Sequence, residues 1–249
     1  MKRLFCSLLA MLAICSLQAF APAEADVVIL GDSNTWIGGD DCSGPKGWNY
    51  WFAKSFAPRS CRSYARSGAT WSHTADTKDN ITENIGVIGD DNVIYNQILR
   101  LNNAVAGGQQ QKPNVIIVAA GTNDLLFPDK RPDALADRGA GTVSAQGAIM
   151  YDCSLLHRDY PDAQIILLSP IESTRISNEV LNDFSERMEA LAVDAGYWII
   201  RMDQVGCVRR EDELRRRVNT YDGIHTSVAG AKANGNRLSA IIKNIIDGL

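Results

Sequence analysis

The sequence alternates between short apolar runs and longer segments with helical periodicity. Continuous apolar runs at residues 27–30 and 115–119 predict strands that are buried on both faces. Runs with more polar positions at residues 61–65, 164–169 and 197–202 predict further strands. Short strands that alternate with helices are typical of a parallel sheet covered on both faces, so we predict one α/β domain with about five strands.

Amphipathic segments separate these strands. Apolar residues at helical spacing predict helices over residues 48–56, 92–106, 140–160, 178–195 and 227–246. Three irregular segments remain, at residues 38–47, 67–91 and 125–139. Loops of that length in a compact domain are usually functional or disordered. Each of the three follows a segment with candidate site residues, which favours a functional role.

The N-terminus has the organisation of a secretory signal peptide. Lys2 and Arg3 precede an apolar run at residues 4–17, and small residues then lead to Ala25. The run is shorter than the ~20 residues needed to cross a bilayer, which favours a cleaved signal over a stable membrane insertion.

We therefore divide the chain into a signal peptide at residues 1–25 and a single domain at residues 26–249, and we expect a secreted or periplasmic protein. Cys15 leaves a lipoprotein as the less favoured alternative. Ile14 before it is a poor match to the small residue that lipoprotein processing requires.

The charge balance argues against a nucleic-acid partner. The chain has 25 basic and 29 acidic residues, a formal net charge of −4, and no basic stripe. The one cationic run, at residues 215–217, follows acidic residues at 211–213 and is interpreted as the solvated face of a short helix. We expect a monomer.

Four cysteines follow the predicted cleavage site, and an even number in an exported chain indicates disulfides. Three pairings are possible. We favour Cys42–Cys61 and Cys153–Cys207, because the first pair brackets one predicted helix. None of the four has the spacing of a zinc ligand, so we expect no metal and no cofactor.

Polar motifs follow the first and third predicted strands. Gly-Asp-Ser stands at residues 31–33 and Gly-Thr-Asn-Asp at residues 121–124, where open parallel sheets place their chemistry. A third motif, Asp-Gly-Ile-His at residues 222–225, places a carboxylate three residues before an imidazole. Acyl transfer by serine needs a base, a group that orients the base, and donors for the oxyanion. The three motifs contain all of these parts.

The other histidines and acids fit this chemistry less well. His157 lies in a predicted helix beside charged residues, which indicates a surface position. His73 lies in the polar loop after residue 68 and is a candidate for substrate contact. Asp32 and Asp124 are interpreted as residues that order their loops, because only His225 has a carboxylate at a spacing that can fold back onto it.

With these motifs the chain resembles the GDSL/SGNH hydrolase family. Ser33 matches the nucleophile, Asn123 the third block, and Asp222 and His225 the last block, while Gly68 lies where the second block belongs. The resemblance implies a flavodoxin-like three-layer α/β/α sandwich. It also implies a Ser–His–Asp triad, with an oxyanion hole made by Asn123 and the backbone N–H groups of Ser33 and Gly68.

The family includes lipases, thioesterases, lysophospholipases and carbohydrate acetylesterases, so the substrate must be argued from the loops. Residues 74–84 are strongly polar and poorly suited to line an apolar acyl groove. Trp36 and Trp71 lie three residues after Ser33 and Gly68, and could stack on a sugar ring. We predict an esterase for short acyl groups, chiefly O-acetyl, on carbohydrate. The alternatives are a lysophospholipase or thioesterase and, less favoured, a non-catalytic glycan-binding module.

Overall fold

The fold is built on one parallel sheet. The computed structural model describes residues 20–74, 77 and 92–248. Its strands are β1 (Asp26–Gly31), β2 (Ser60–Ser63), β3 (Val115–Ala119), β4 (Gln164–Leu168) and β5 (Trp198–Ile200). They lie in the order β2-β1-β3-β4-β5, and every neighbouring pair is parallel. The predicted five-stranded parallel sheet is confirmed, and its order is that of flavodoxin-like folds.

Helices occupy the connections between the strands. They are α1 (Ser33–Trp36), α2 (Trp48–Phe56), α3 (Ile94–Ala106), α4 (Thr122–Leu126), α5 (Ala145–Asp159), α6 (Asn178–Ala195), α7 (Met202–Val205), α8 (Arg210–Arg215) and α9 (Val228–Ile246). Two 3₁₀ segments cover Pro22–Glu24 and Arg138–Val143. The predicted helix at residues 140–160 is therefore two elements, because the 3₁₀ segment is broken at Gly141 and Ser144 caps a new helix.

Alternate strand residues face two separate helix layers, since successive side chains of a strand point to opposite faces of the sheet. On one face, Val28, Ile116 and Leu167 pack against α3, α5 and α6. On the other, Val27 and Ile117 pack against α2 and α9. All five side chains are fully buried. This is the expected α/β/α sandwich.

The strand order places a switch point between β1 and β3. The chain leaves β1 toward β2 on one side and returns through α3 to β3 on the other side. In open α/β sheets, ligands bind outside the carboxyl ends of the strands at such a point. Here α1 follows β1 and α4 follows β3, so both short helices begin at the same edge.

The structure contradicts the expected disulfides, because all four cysteines are free thiols. Cys42 and Cys61 come near each other, but their Sγ atoms are 3.4 Å apart, against about 2.05 Å in a disulfide. The pairing of Cys153 with Cys207 is wrong for a topological reason. Cys153 is a buried residue of α5 on one face of the sheet, whereas the Cys207 Sγ donates to Gly230 O of α9 on the other.

Most of the predicted signal peptide lies outside the described residues, and its cleavage and export stay predictions. Within the described part of the chain, no helix has the length and apolar character needed to cross a membrane. The polar segment at residues 74–84 is described only at positions 74 and 77.

Candidate active site

The nucleophile candidate stands on a fixed turn at the end of β1. Asp32 caps α1 with a side chain that accepts from the Asn34 N–H at 3.0 Å, and Ser33 is the first residue of the helix. The side chain of Gln97 in α3 clamps the preceding peptide units: its Oε1 accepts from Gly31 N at 2.8 Å, and its Nε2 donates to Gly31 O at 2.9 Å. The position of Ser33 is therefore set by backbone contacts on both sides.

Ser33, His225 and Asp222 form a continuous chain of hydrogen bonds. Ser33 Oγ lies 2.8 Å from His225 Nε2, and His225 Nδ1 lies 2.6 Å from Asp222 Oδ2. The second carboxylate oxygen, Asp222 Oδ1, accepts from the N–H groups of Ile224 at 2.9 Å and His225 at 2.8 Å. A carboxylate held on Nδ1 fixes the tautomer that leaves Nε2 free to accept a proton from serine.

The Asp222 carboxyl is held in its ionised form. Its burial raises the pKa, but the hydrogen bonds from the His225 side chain and from the backbone outweigh that effect and leave the pKa below its usual value. The group that orients the imidazole is therefore charged across the neutral range.

The turn that carries Asp222 and His225 is anchored from two directions. Gly223 has φ +91°, a left-handed conformation, and a Cβ at this position would lie 2.0 Å from the Thr174 Oγ1. Thr174 N also donates to Gly223 O at 2.8 Å. On the other side, Thr226 N donates to Asn34 Oδ1 at 3.2 Å, which joins the turn to α1, the helix that begins at Ser33.

Three potential oxyanion donors come from separate segments. Gly68 has φ +76° in the turn after β2, and that turn is tied to β1 because Arg66 N donates to Gly31 O at 3.0 Å. Asn123 Nδ2 donates to Ala69 O at 2.8 Å, which holds the amide beside this turn. Within the described chain, the N–H groups of Ser33 and Gly68 donate to no protein acceptor. Both remain available to a ligand.

Asp124 braces the oxyanion side of the site. Its carboxylate accepts from Trp71 N at 3.0 Å, from Ser72 N at 2.9 Å and from Ser72 Oγ at 2.6 Å. Arg131 Nε, in the same loop region, donates to Thr70 Oγ1 at 3.2 Å. Burial raises the pKa of Asp124 against these hydrogen bonds. The residue ties α4, which carries Asn123, to the loop after Gly68.

Asp32 is a second buried acid, next to Ser33. Burial raises its pKa to about 6, opposed by the hydrogen bonds from Asn34 and Thr122. Its side chain is used as the cap of α1 and does not take the position of Asp222 on the imidazole.

The residues suggested for substrate contact divide into half-buried and fully buried ones. Trp36 is half-buried at the end of α1. His73 is half-buried, and its ring centroid lies 5.6 Å from that of Tyr95. The suggested stacking role of Trp71 is not supported, because its side chain is fully buried in the core under α3 and α5. His157 is exposed on α5, as expected.

Sequence reasoning missed Tyr221. Its side chain is 55% exposed and its ring stacks on His225, with centroids 5.6 Å apart and an interplanar angle of 14°. The one available signal was its position directly before the last motif. Gln97 and Asn34 were also missed, since their roles depend on contacts with residues far away along the chain.

No group of three metal-ligating side chains comes together within the described residues. The site as built consists of a hydroxyl, an imidazole, a carboxylate and amide donors. Such a set can carry out nucleophilic acyl transfer with its own residues.

Comparisons with known proteins agree with this geometry. The model of the GDSL-like Lipase/Acylhydrolase family matches residues 29–233. A search of curated proteins found no match. Among solved structures, the chain is similar to a carbohydrate acetylesterase family member from Sinorhizobium meliloti, with 17% identity, 90% of this chain and 100% of that chain covered, and a TM-score of 0.56.

Two further solved structures share the fold. An acetyl xylan esterase has 16% identity, with 87% of this chain and 100% of that chain covered and a TM-score of 0.57. A family two carbohydrate esterase from Clostridium thermocellum has 18% identity, with 92% of this chain and 66% of that chain covered and a TM-score of 0.58. At these identities the likeness shows the fold.

Proposed function

Because the chain belongs to the GDSL-like lipase/acylhydrolase family, we propose that this ester hydrolase removes short acyl groups, chiefly acetyl, from carbohydrate. The observation that carries the proposal is the hydrogen-bond chain from Ser33 through His225 to Asp222. These contacts support Ser33 as the nucleophile, His225 as its base and Asp222 as the group that orients the base.

The reaction follows from the positions of these atoms. Ser33 Oγ attacks the ester carbonyl carbon while His225 Nε2 takes the hydroxyl proton. The N–H groups of Ser33 and Gly68 and the amide of Asn123 stabilise the tetrahedral oxyanion. Collapse of this intermediate expels the sugar alcohol, which receives the proton from His225, and leaves an acyl-enzyme. A water molecule then attacks the acyl carbon while His225 takes its proton. The second tetrahedral intermediate collapses, releases the acid and returns the proton to Ser33 Oγ.

The carbohydrate part of the proposal rests on two kinds of support. Solved structures with this fold include a carbohydrate acetylesterase, an acetyl xylan esterase and a carbohydrate esterase. In this chain, the exposed ring of Tyr221 lies against the base, and a planar aromatic ring at that place suits contact with a sugar. Trp36 remains a second candidate for the same role.

We also propose that the enzyme is exported after cleavage of the N-terminal segment, on the support of the positive start and apolar run at residues 2–17. Mass spectrometry of the protein recovered outside the cytoplasm tests this directly. A mature protein that begins at Asp26 is expected, and an intact Met1 in that fraction contradicts it.

The function is tested with a series of 4-nitrophenyl esters of increasing acyl length, together with a panel of acetylated polysaccharides. Ser33→Ala serves as the blank in every assay. We expect the highest kcat/KM with acetyl and a release of acetate from at least one polysaccharide. Preference for acyl chains of about eight carbons or more would favour the lysophospholipase or thioesterase alternative. Equal rates for the wild type and Ser33→Ala would favour the glycan-binding module.

A further inference from the structure

A cationic depression lies beside the catalytic turn. Arg175, from the loop between β4 and α6, meets Arg215, Arg216 and Arg217 around a shallow space of about 560 Å³. The four arginine residues are exposed. We call these four residues and the space between them the arginine depression. Its volume falls within the range of small-molecule sites.

The sequence indicated that the three consecutive arginines form the solvated face of one short helix. In the structure they do not share a helix face. Helix α8 ends at Arg215, and Arg216 continues in an extended conformation with φ −157° and ψ 116°. The fold then brings in Arg175, which lies 40 positions earlier than Arg215 in the numbering of the chain. The cluster is a product of the tertiary structure.

These four positive charges have no ion-pair partner among the residues that the structure describes. In the described part of the chain, no carboxylate forms an ion pair with any of them, whereas Arg209 nearby pairs with Glu172 at 3.1 Å. The acid that lines the depression, Glu213, is turned inward. Its carboxylate accepts from the N–H groups of residues 218–220 and from Thr220 Oγ1 at 2.6 Å. The Glu213 side chain therefore holds the loop at residues 218–220 and forms no ion pair with the arginines.

The depression is fixed to the catalytic turn by short contacts. Thr174, which lines it, donates from its N–H to Gly223 O at 2.8 Å. The loop that carries the arginines continues into Thr220, which forms an antiparallel bridge with Thr226. A ligand in the depression would therefore lie next to the segment that bears His225.

We propose that the arginine depression binds anionic groups of the substrate, so that the enzyme acts on acylated polysaccharides that carry carboxylate or phosphate groups near the acylated sugar. This inference rests on the proposed function. Guanidinium groups bind both anions through paired N–H donors, which gives orientation as well as attraction. Glycans are favoured over nucleic acid because the chain as a whole is acidic, with a net charge of −4.

The test compares two double variants that change the net charge by the same amount. Arg216→Gln/Arg217→Gln alters the arginine depression. The matched control, Lys112→Gln/Lys243→Gln, alters exposed residues before β3 and in the last turn of α9, at the opposite edge of the sheet. Steady-state kinetics are measured with acetylated polygalacturonate and with acetylated xylan, at about 20 mM and about 300 mM salt.

We expect the arginine variant to lower kcat/KM for the anionic polymer by about tenfold at low salt, mainly through KM, because two attractive contacts are lost. Hydrolysis of acetylated xylan and of 4-nitrophenyl acetate is expected to stay unchanged, and the lysine control to behave as wild type. An equal loss on both polymers, or an equal loss in the lysine control, would overturn the proposal.

Binding measurements separate this inference from the proposed function. Ester-free oligogalacturonate, oligophosphate and a DNA oligonucleotide are titrated by calorimetry into the wild type and both variants. The proposal is supported if oligogalacturonate or oligophosphate binds the wild type and this binding is lost in the arginine variant. The oligomer that binds more tightly identifies the anion. Tighter binding of DNA overturns the proposal. Failure to hydrolyse 4-nitrophenyl acetate rejects the esterase proposal alone.

Discussion

Asp124 at the catalytic edge and Asp152 in the middle of α5 are both buried acids, but their surroundings differ. Asp124 is 2% exposed and accepts three hydrogen bonds from residues 71 and 72. Asp152 is 0% exposed, and neither of its carboxyl oxygens has a partner within the described residues. Burial raises the pKa of both, and only at Asp124 do hydrogen bonds oppose it. The buried carboxyl at the edge of the sheet orders the loops there, whereas the one in the helix layer has no hydrogen bond from the described residues to offset the cost of its burial.

The largest expected effect at the catalytic edge comes from Asp222→Asn. The substituted amide would face Nδ1 of His225 and favour the tautomer that carries its proton on Nε2, so the base could not accept from Ser33. We expect kcat to fall by about 10⁴-fold with little change in KM. Asp41→Asn, at an exposed position, serves as the control. Retention of more than about a tenth of the activity would contradict the role of Asp222.

The next effect is expected from Asn123→Ala, which removes one oxyanion donor. The loss of a single donor of this kind costs about 3–4 kcal/mol of transition-state stabilisation, or roughly 10²–10³-fold in kcat. The measurement is kcat for 4-nitrophenyl acetate alongside the melting temperature. A loss of stability large enough to explain the loss of activity would instead assign Asn123 a role in holding the loop at Ala69.

Asp124→Asn tests the buried acid at the catalytic edge of the sheet. An asparagine has one acceptor oxygen where the carboxylate has two, so its NH₂ would face a buried N–H of Trp71 or Ser72. We expect the free energy of unfolding to fall by about 1–3 kcal/mol at pH 7. We also expect a lower kcat, because the loop after Gly68 loses its contacts with the carboxylate. Urea denaturation gives the free energy. A variant as stable as wild type would show that the three hydrogen bonds are not needed.

Asp152→Asn is expected to have the opposite effect on stability, and to raise the free energy of unfolding. The pKa of Asp152 lies well above its unfolded value of 3.8, so folding takes up a proton and stability falls as the pH rises above about 4. Asp152→Asn removes this dependence and should stabilise the protein by about 1–3 kcal/mol at pH 8.

The gain from Asp152→Asn should shrink toward zero near pH 4, where the acid is protonated in both states. Urea unfolding at the two pH values measures it. A gain that is the same at both would show that the substitution acts through packing and not through ionisation.

The sequence predicted the long elements of the fold better than the short ones. Long elements such as α6 and β3 have the bounds that their apolar patterns predicted, because α6 buries one periodic face and β3 is a continuous apolar run that is buried on both faces. Short helices such as α1 and α4 have only four and five residues, too few for a periodic signal. They form because Asp32 caps the first, and because α4 begins directly after β3 at the switch point.

Residues of the candidate site were predictable where a local motif carried them. The Asp222–His225 contact spans three residues, so a sequence spacing could indicate it. The clamp of Gln97 on Gly31 spans 66 residues, and no local pattern encodes such a contact. Trp71 shows the opposite error, since its nearness to Gly68 along the chain suggested an exposed ring that the fold buries.

The bond between Ser33 and His225 joins positions 192 residues apart, and this has a consequence for biosynthesis. A ribosome makes the nucleophile among the first residues of the domain and the base close to the last. No N-terminal fragment that ends before residue 225 can hold both groups, so the nascent chain has no esterase activity until nearly all of it has been made and folded. Contacts of such long range also form slowly, because a large loop must close before they give any stability. The appearance of hydrolysis during refolding would therefore be a sensitive measure of when the two ends of the domain meet.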